Sequence, residues 1–91
     1  SMIESQDDGH RFERIYERYR NLMYHIAYRI LRNPQDAEDA VHQAFVSIIQ
    51  NIHKFVQIDC PETRSFIVIV AERKGSVTQR KFFLSMKIGS D

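Results

Sequence analysis

A chain of 91 residues, 43% of them hydrophobic, has room for one core and enough apolar side chains to fill it. Its formal charge of +1, from 13 basic and 12 acidic side chains, excludes a uniformly basic, histone-like binder. A single cysteine, Cys60, excludes an internal disulfide and points to a reducing, cytoplasmic setting, while the longest apolar run, six residues from Phe66 to Ala71, is far short of the roughly 20 needed to cross a bilayer.

Ser1-Met2 reads as a tag scar followed by an initiator methionine, and no secretory signal pattern follows it. Residues 1–10 are polar and are expected to be a frayed tail. From Phe12, the apolar positions Phe12, Ile15, Tyr16, Tyr19, Leu22, Met23, Ile26 and Ile30 advance in steps of three and four, the stripe of a helix about 20 residues long. Tyr24 and Tyr28 make a half-apolar flank, suited to core packing or, less commonly, to a stacking platform.

Asn33-Pro34 ends that helix and starts another. Pro34 disfavours the α conformation at Asn33, and Asn33 can cap a helix that has Pro34 at its first position. The second helix is expected over about Pro34–His53. Ala37, Ala40, Val41, Ala44, Phe45, Ile48 and Ile52 fall on one face, and Gln35, Glu38, Asp39, His42, Gln43 and Val46 on the other. The short link makes the two helices antiparallel neighbours.

Residues 54–62 read as a loop. The following Phe66-Ile-Val-Ile-Val-Ala71 is ambiguous: its β-branched content suits a strand, whereas its flanks suit a helix. With no partner strand in the chain, helix is the assignment, weakened at Gly75-Ser76 and continuing over residues 76–84 with Arg80 and Lys81 exposed. Residues 11–84 thus form one helical domain, and 85–91 a C-terminal tail.

Charge is unevenly spread. Residues 1–50 hold six arginines and eight acids, whereas residues 51–91 hold seven basic residues and four acids. From Arg73 to Lys87 there are five basic side chains and no acid. Such a domain can present one acidic and one basic face to partners of opposite charge, though solvated faces are the commoner meaning of such clusters.

Catalytic chemistry has no foothold. His10, His25, His42 and His53 are not spaced three or four apart or near Cys60, so no helical metal site is indicated. Gly9, Gly75 and Gly89 are scattered and make no phosphate-cradling loop. No cofactor, metal, small-molecule substrate or membrane is expected.

Three segments resemble region 2 of bacterial RNA polymerase sigma factors of the extracytoplasmic-function (ECF) type. Phe12-Glu-Arg-Ile-Tyr16-Glu-Arg-Tyr19-Arg-Asn-Leu22 is similar to the family's opening F-x-x-[LI]-Y-x-x-Y-x-x-L helix. Asn33-Pro34-Gln-Asp36-Ala-Glu38-Asp39-Ala-Val41-His-Gln43-Ala-Phe45 resembles the D-A-E-D-[LV]-V-Q-E-x-F helix nearly position by position, and is the specific piece. Pro61-Glu-Thr-Arg64-Ser-Phe66-Ile-Val-Ile-Val-Ala71 is like the P-x-x-W-L-x-x-I-A helix.

The resemblance implies an all-α three-helix bundle, no enzyme activity and two binding roles. The D-A-E-D helix of the family docks on the arginine-rich clamp helices of the polymerase β′ subunit. Carried over, that contact falls to Asp36, Glu38, Asp39, His42, Gln43 and Val46. The family also recognises and melts the promoter −10 element. The loop after the second helix captures a flipped base, here Phe55 to Thr63, and basic residues hold the backbone, here Lys54, Arg64, Arg73, Lys74, Arg80 and Lys81.

This chain departs from the pattern at three places. Phe66 replaces the tryptophan, His42-Gln43 replaces Gln-Glu, and Gly75, Ser76 and Val77 break the order of the family's DNA-facing helix. The last departure supports a second reading: a sigma-like co-regulator that keeps the fold and binds polymerase or an anti-sigma factor without reading specific DNA. Region 4, which reads the −35 element in the family, is expected either to have been removed or to be supplied by a partner.

Overall fold

Four-residue steps of apolar side chains set the geometry of the first helix. In the computed structural model, which describes residues 2–54 and 57–89, α1 spans Met2–Leu31 and buries Ile15, Tyr19, Met23 and Ala27 along one line. Phe12, Leu22, Tyr24 and Ile26 flank that line, half-buried. Tyr16, expected on the stripe, stands at its exposed margin, and Ala27, not expected, is on it. The helix starts at Met2 rather than near Arg11. Once a helix is nucleated, each added residue contributes a backbone hydrogen bond at little further cost, and no proline interrupts the chain before Pro34.

The turn between α1 and α2 (Pro34–Gln50) takes two residues. Arg32 adopts a left-handed φ of 56°, and its N–H donates to Tyr28 O at 2.7 Å. Asn33 is extended (φ −145°, ψ 126°) and caps α2: the Asp36 N–H donates to its Oδ1 at 3.0 Å, and Pro34 occupies the first turn, as the sequence requires. α2 buries Ala37, Ala40, Val41, Ala44, Phe45 and Ile48, six of the seven expected core positions. It ends at Gln50 instead of His53. Asn51 closes it, donating from its N–H to Ile48 O and from Nδ2 to Ser47 O at 2.9 Å. The seventh position, Ile52, is buried in a separate 3-10 turn, Ile52–Lys54.

The β-branched run after the loop is helical. α3 spans Pro61–Gly89, and no strand occurs among the described residues. Ile67, Val70 and Ala71 point inward while Ile69 is exposed, a three-and-four pattern that burial between two helices rewards and an unpaired strand could not satisfy. α3 also runs through residues 85–89, past the expected stop near residue 84.

Direction follows from contacts. Phe45, late in α2, meets the rings of Phe12 (5.7 Å) and Tyr16 (4.9 Å), so α2 is antiparallel to α1. α3 runs the same way as α1. Asp59, just before it, pairs with Arg18; Gly75 lies against Ala27 and Ile30; and Gln79 Nε2 donates to Ile30 O at 3.0 Å. The core between the three helices includes the fully buried Ile15, Met23, Ile48 and Ile67, each worth about 1.5–3 kcal/mol in apolar burial.

Gly75 sits inside α3, buried, where the sequence suggested only a weak point. A Cβ there would meet Ile30 Cδ1 at 3.0 Å and Ala27 Cα at 3.7 Å, so the missing side chain lets α1 and α3 approach closely. The tight contact is the far end of a half-buried, flexible side chain, which can swing aside. Gly75→Ala is therefore expected to be neutral to stabilising by up to about 1 kcal/mol, because alanine favours the helix. Gly75→Leu should destabilise by about 1–3 kcal/mol through overpacking. Urea midpoints of both variants test the pair.

Candidate functional site

Because α2 spends its apolar positions on α1 and α3, its remaining side chains face outward. Glu38, Asp39, His42, Gln43 and Val46 are exposed, and Asp36 is half-buried near the cap. Among the described residues, neither Glu38 nor Asp39 forms an ion pair, so the ridge is not neutralised by the chain's own arginines. Asp36 lies in the first turn of α2, where a carboxylate interacts favourably with the helix dipole.

The ridge borders a groove of about 670 Å³ between α2 and α1. Glu38, His42, Val46 and Ile49 form the α2 wall, and Tyr16, Arg20 and Tyr24 stand across it. Asp36, Asp39 and Gln43 are outside the groove, on the outer and far flanks of α2. The Arg20 guanidinium sits 5.5 Å from the Tyr16 ring centroid, and Tyr24 stacks on Tyr28 with centroids 6.0 Å apart. Arg20 and Ile49, the latter 50% exposed, were not singled out from sequence, whereas Tyr16 was read as a stripe position and Tyr24 as a flank. The spacing of Ile49, three from Val46 and seven from His42, places it on the same face and was the available signal.

The segment between α2 and α3 is pinned from two sides. Tyr19 Oη donates to Ile58 O at 2.5 Å, and Arg18 Nε donates to Asp59 Oδ1 at 2.8 Å. From the other side, buried Thr63 donates from Oγ1 to Gln57 O at 2.7 Å, and the Cys60 thiol lies 3.2 Å from the same hydroxyl. Phe55 and Val56, part of the expected base-capturing loop, lie outside the described residues. A cavity of about 520 Å³ opens beside this segment, lined by Asn51, Lys54, Gln57, Cys60, Glu62, Thr63 and Phe66.

The six basic residues expected to hold a nucleic-acid backbone do not share one face. Arg73 and Arg80, seven residues apart, line up on the outer stripe of α3, and Lys81 is exposed beside them. Lys74 is half-buried toward the core. Lys54 stands at the cavity. Arg64 lies on the α1 side of α3, near enough to Tyr19 for its charge to act on the phenol. No helix among the described residues is long and apolar enough to cross a membrane, and none of their His, Cys, Asp or Glu side chains cluster as a metal site.

The family model for sigma-70 region 2 matches residues 15–75, two-thirds of the chain. The chain belongs to the sigma-70 region 2 family. No curated protein and no solved structure matches it. Sigma-70 region 2 is a non-enzymatic domain of transcription initiation, so this chain has a sigma-factor role, with RNA polymerase core and promoter DNA as its general partners. The all-helical architecture agrees with that family. The matched span contains the α2 ridge and the pinned segment, and stops before Arg80 and Lys81.

Burial first, and then the nearby Asp59 carboxylate, raise the Tyr19 phenol above its ordinary value of 10.0. The folded state therefore favours the protonated phenol. Its contribution is complete below about pH 10 and is lost as pH rises through the raised value. Tyr19→Phe should cost about 1 kcal/mol at neutral pH by removing the bond to Ile58 O. The gap between wild type and Tyr19→Phe in urea midpoint should stay constant up to about pH 10 and narrow above it.

Proposed function

We propose that this domain is an ECF-type region 2 module. In this reading, α2 docks on the clamp helices of the polymerase β′ subunit, and the segment before α3 holds the non-template strand of the promoter −10 element. One observation carries the first half: Glu38 and Asp39 are exposed and have no ion-pair partner among the described residues, leaving them available to an arginine-rich surface. Asp36, His42, Gln43 and Val46 complete the contact. The adjoining groove supplies an apolar shelf at Val46 and Ile49. Carboxylate–arginine bonds shielded by that shelf are worth about 1.5–3 kcal/mol each, and much less at a wet rim.

The second half is supported by the cavity beside the pinned segment. It has the size of a small-ligand site and offers an aromatic face at Phe66 with amides at Asn51 and Gln57. Extruding a base costs a few kcal/mol, and stacking on an aromatic side chain returns about 1–3 kcal/mol. Arg73, Arg80 and Lys81 would hold phosphates along α3, with Lys54 and Arg64 nearer the segment. Work of this kind belongs in the cytoplasm, beside the polymerase.

A specific observation favours the second reading, a co-regulator that binds polymerase or an anti-sigma factor without specific DNA recognition. The family match ends at residue 75, and Lys74 is half-buried instead of facing outward. The two readings share the α2 contact and part at the DNA.

Glu38→Arg with Asp39→Arg should abolish capture of a β′ clamp-helix fragment; undiminished capture overturns the docking assignment. For DNA, Arg80→Ala should reduce the slope of log K against log salt by about 0.7 for a single strand. Equal affinity for −10-like and scrambled strands would favour the co-regulator.

A further inference from the structure

The family-derived basic residues do not account for the arginines of α1. Arg11, Arg14 and Arg18 recur at steps of three and four, so they share one face of the helix. That face looks across a groove of about 850 Å³ at residues 57–61, the pinned segment and the first residue of α3. Arg14 is exposed and has no hydrogen bond or ion pair among the described residues. Arg18 uses Nε to hold Asp59, which leaves its two terminal nitrogens outside that bond. Glu17 and Asp59 also line the groove, and Asp59 is engaged by Arg18.

This groove and the cavity beside Phe66 lie on opposite sides of one wall. Gln57 and Cys60 line both. A strand that placed a base in the cavity would cross the segment and bring its adjacent phosphates to the α1 arginines. The three arginines span about 10 Å along the helix axis, comparable to the rise of three nucleotides at about 3.4 Å each. Guanidinium groups are the side chains best matched to phosphate, in charge and in fork geometry. Arg64 leans to this same side, apart from Arg73 and Arg80. Arg11 and Arg14 precede the span matched by the family model, which begins at residue 15 and includes Arg18 and the opposing segment.

We propose that the Arg11–Arg14–Arg18 face of α1 and the opposing segment form a second phosphate-binding groove for single-stranded nucleic acid. It extends the path of the strand beyond α3. The inference rests on the reading of the cavity as a base site, and the experiment separates the two.

A dye-labelled single strand is titrated with the 91-residue chain at several salt concentrations and followed by fluorescence anisotropy. Arg14→Gln should weaken binding about threefold or more and lower the salt slope by about 0.7. Arg14→Lys should restore most of the slope, because a point charge still neutralises a phosphate. Neither variant should shift the thermal midpoint, since Arg14 is exposed and unpartnered among the described residues.

If Arg14→Gln keeps the wild-type slope while Arg80→Ala lowers it, the groove is rejected and the DNA reading stands. If the wild-type chain binds no strand, both fall. If polyglutamate of matched charge displaces the strand as well as unlabelled strand does, the groove takes acidic peptide and the proposal is overturned.

Discussion

The structure depends on α2 being gripped from two sides by small and medium apolar residues. Ala37, Ala40 and Ala44 alternate with Val41, Phe45 and Ile48 on its inner half, between α1 and α3. On the other pair of helices, Ala27 and Gly75 leave room for close approach. Leu or Met at these alanines would hold the helices apart and overpack the centre. With every apolar position but Val46 and Ile49 turned inward, the polar positions have one direction left. The exposure of Glu38 and Asp39 is thus a by-product of packing, and the same constraint that builds the core presents the acidic ridge.

A second constraint acts on the connection between α2 and α3. Such a segment would ordinarily be free to move, because little apolar surface anchors it. Here Tyr19 and Arg18 hold it to α1 while Thr63 holds it to α3. The Arg18–Asp59 pair is exposed on both sides and orients the segment more than it stabilises the fold. The Tyr19 bond is shielded, and its loss would be felt in stability. Held this way, the segment forms a fixed wall with a cavity on one side and the α1 arginines on the other.

The charge gradient along the chain takes on a more particular form in space. The acidic cluster stays together because Asp36, Glu38 and Asp39 lie within about one turn of a single helix. The basic residues divide, because a helix turns 100° per residue. Arg73 and Arg80 keep register, Lys74 turns inward, and Arg64 turns toward α1. A run of like charge along a sequence therefore says little about a shared surface unless its spacing matches the helix period.

By itself the sequence determined the three helices, the Asn33 cap with its following proline, the inner face of α2 and the outward ridge, because these depend on residues three or four apart in one element. The family resemblance was legible for the same reason: its motif is a helix-period pattern with a proline boundary. Only the tertiary structure decided that Gly75 is a packing site and that Tyr16, Arg20, Tyr24 and Ile49 border the ridge. It alone brought Arg11, Arg14 and Arg18 opposite residues 57–61. Each of those outcomes is settled by a neighbour some 20–50 residues away, and the energy of such a contact is not written in the local spacing of either partner.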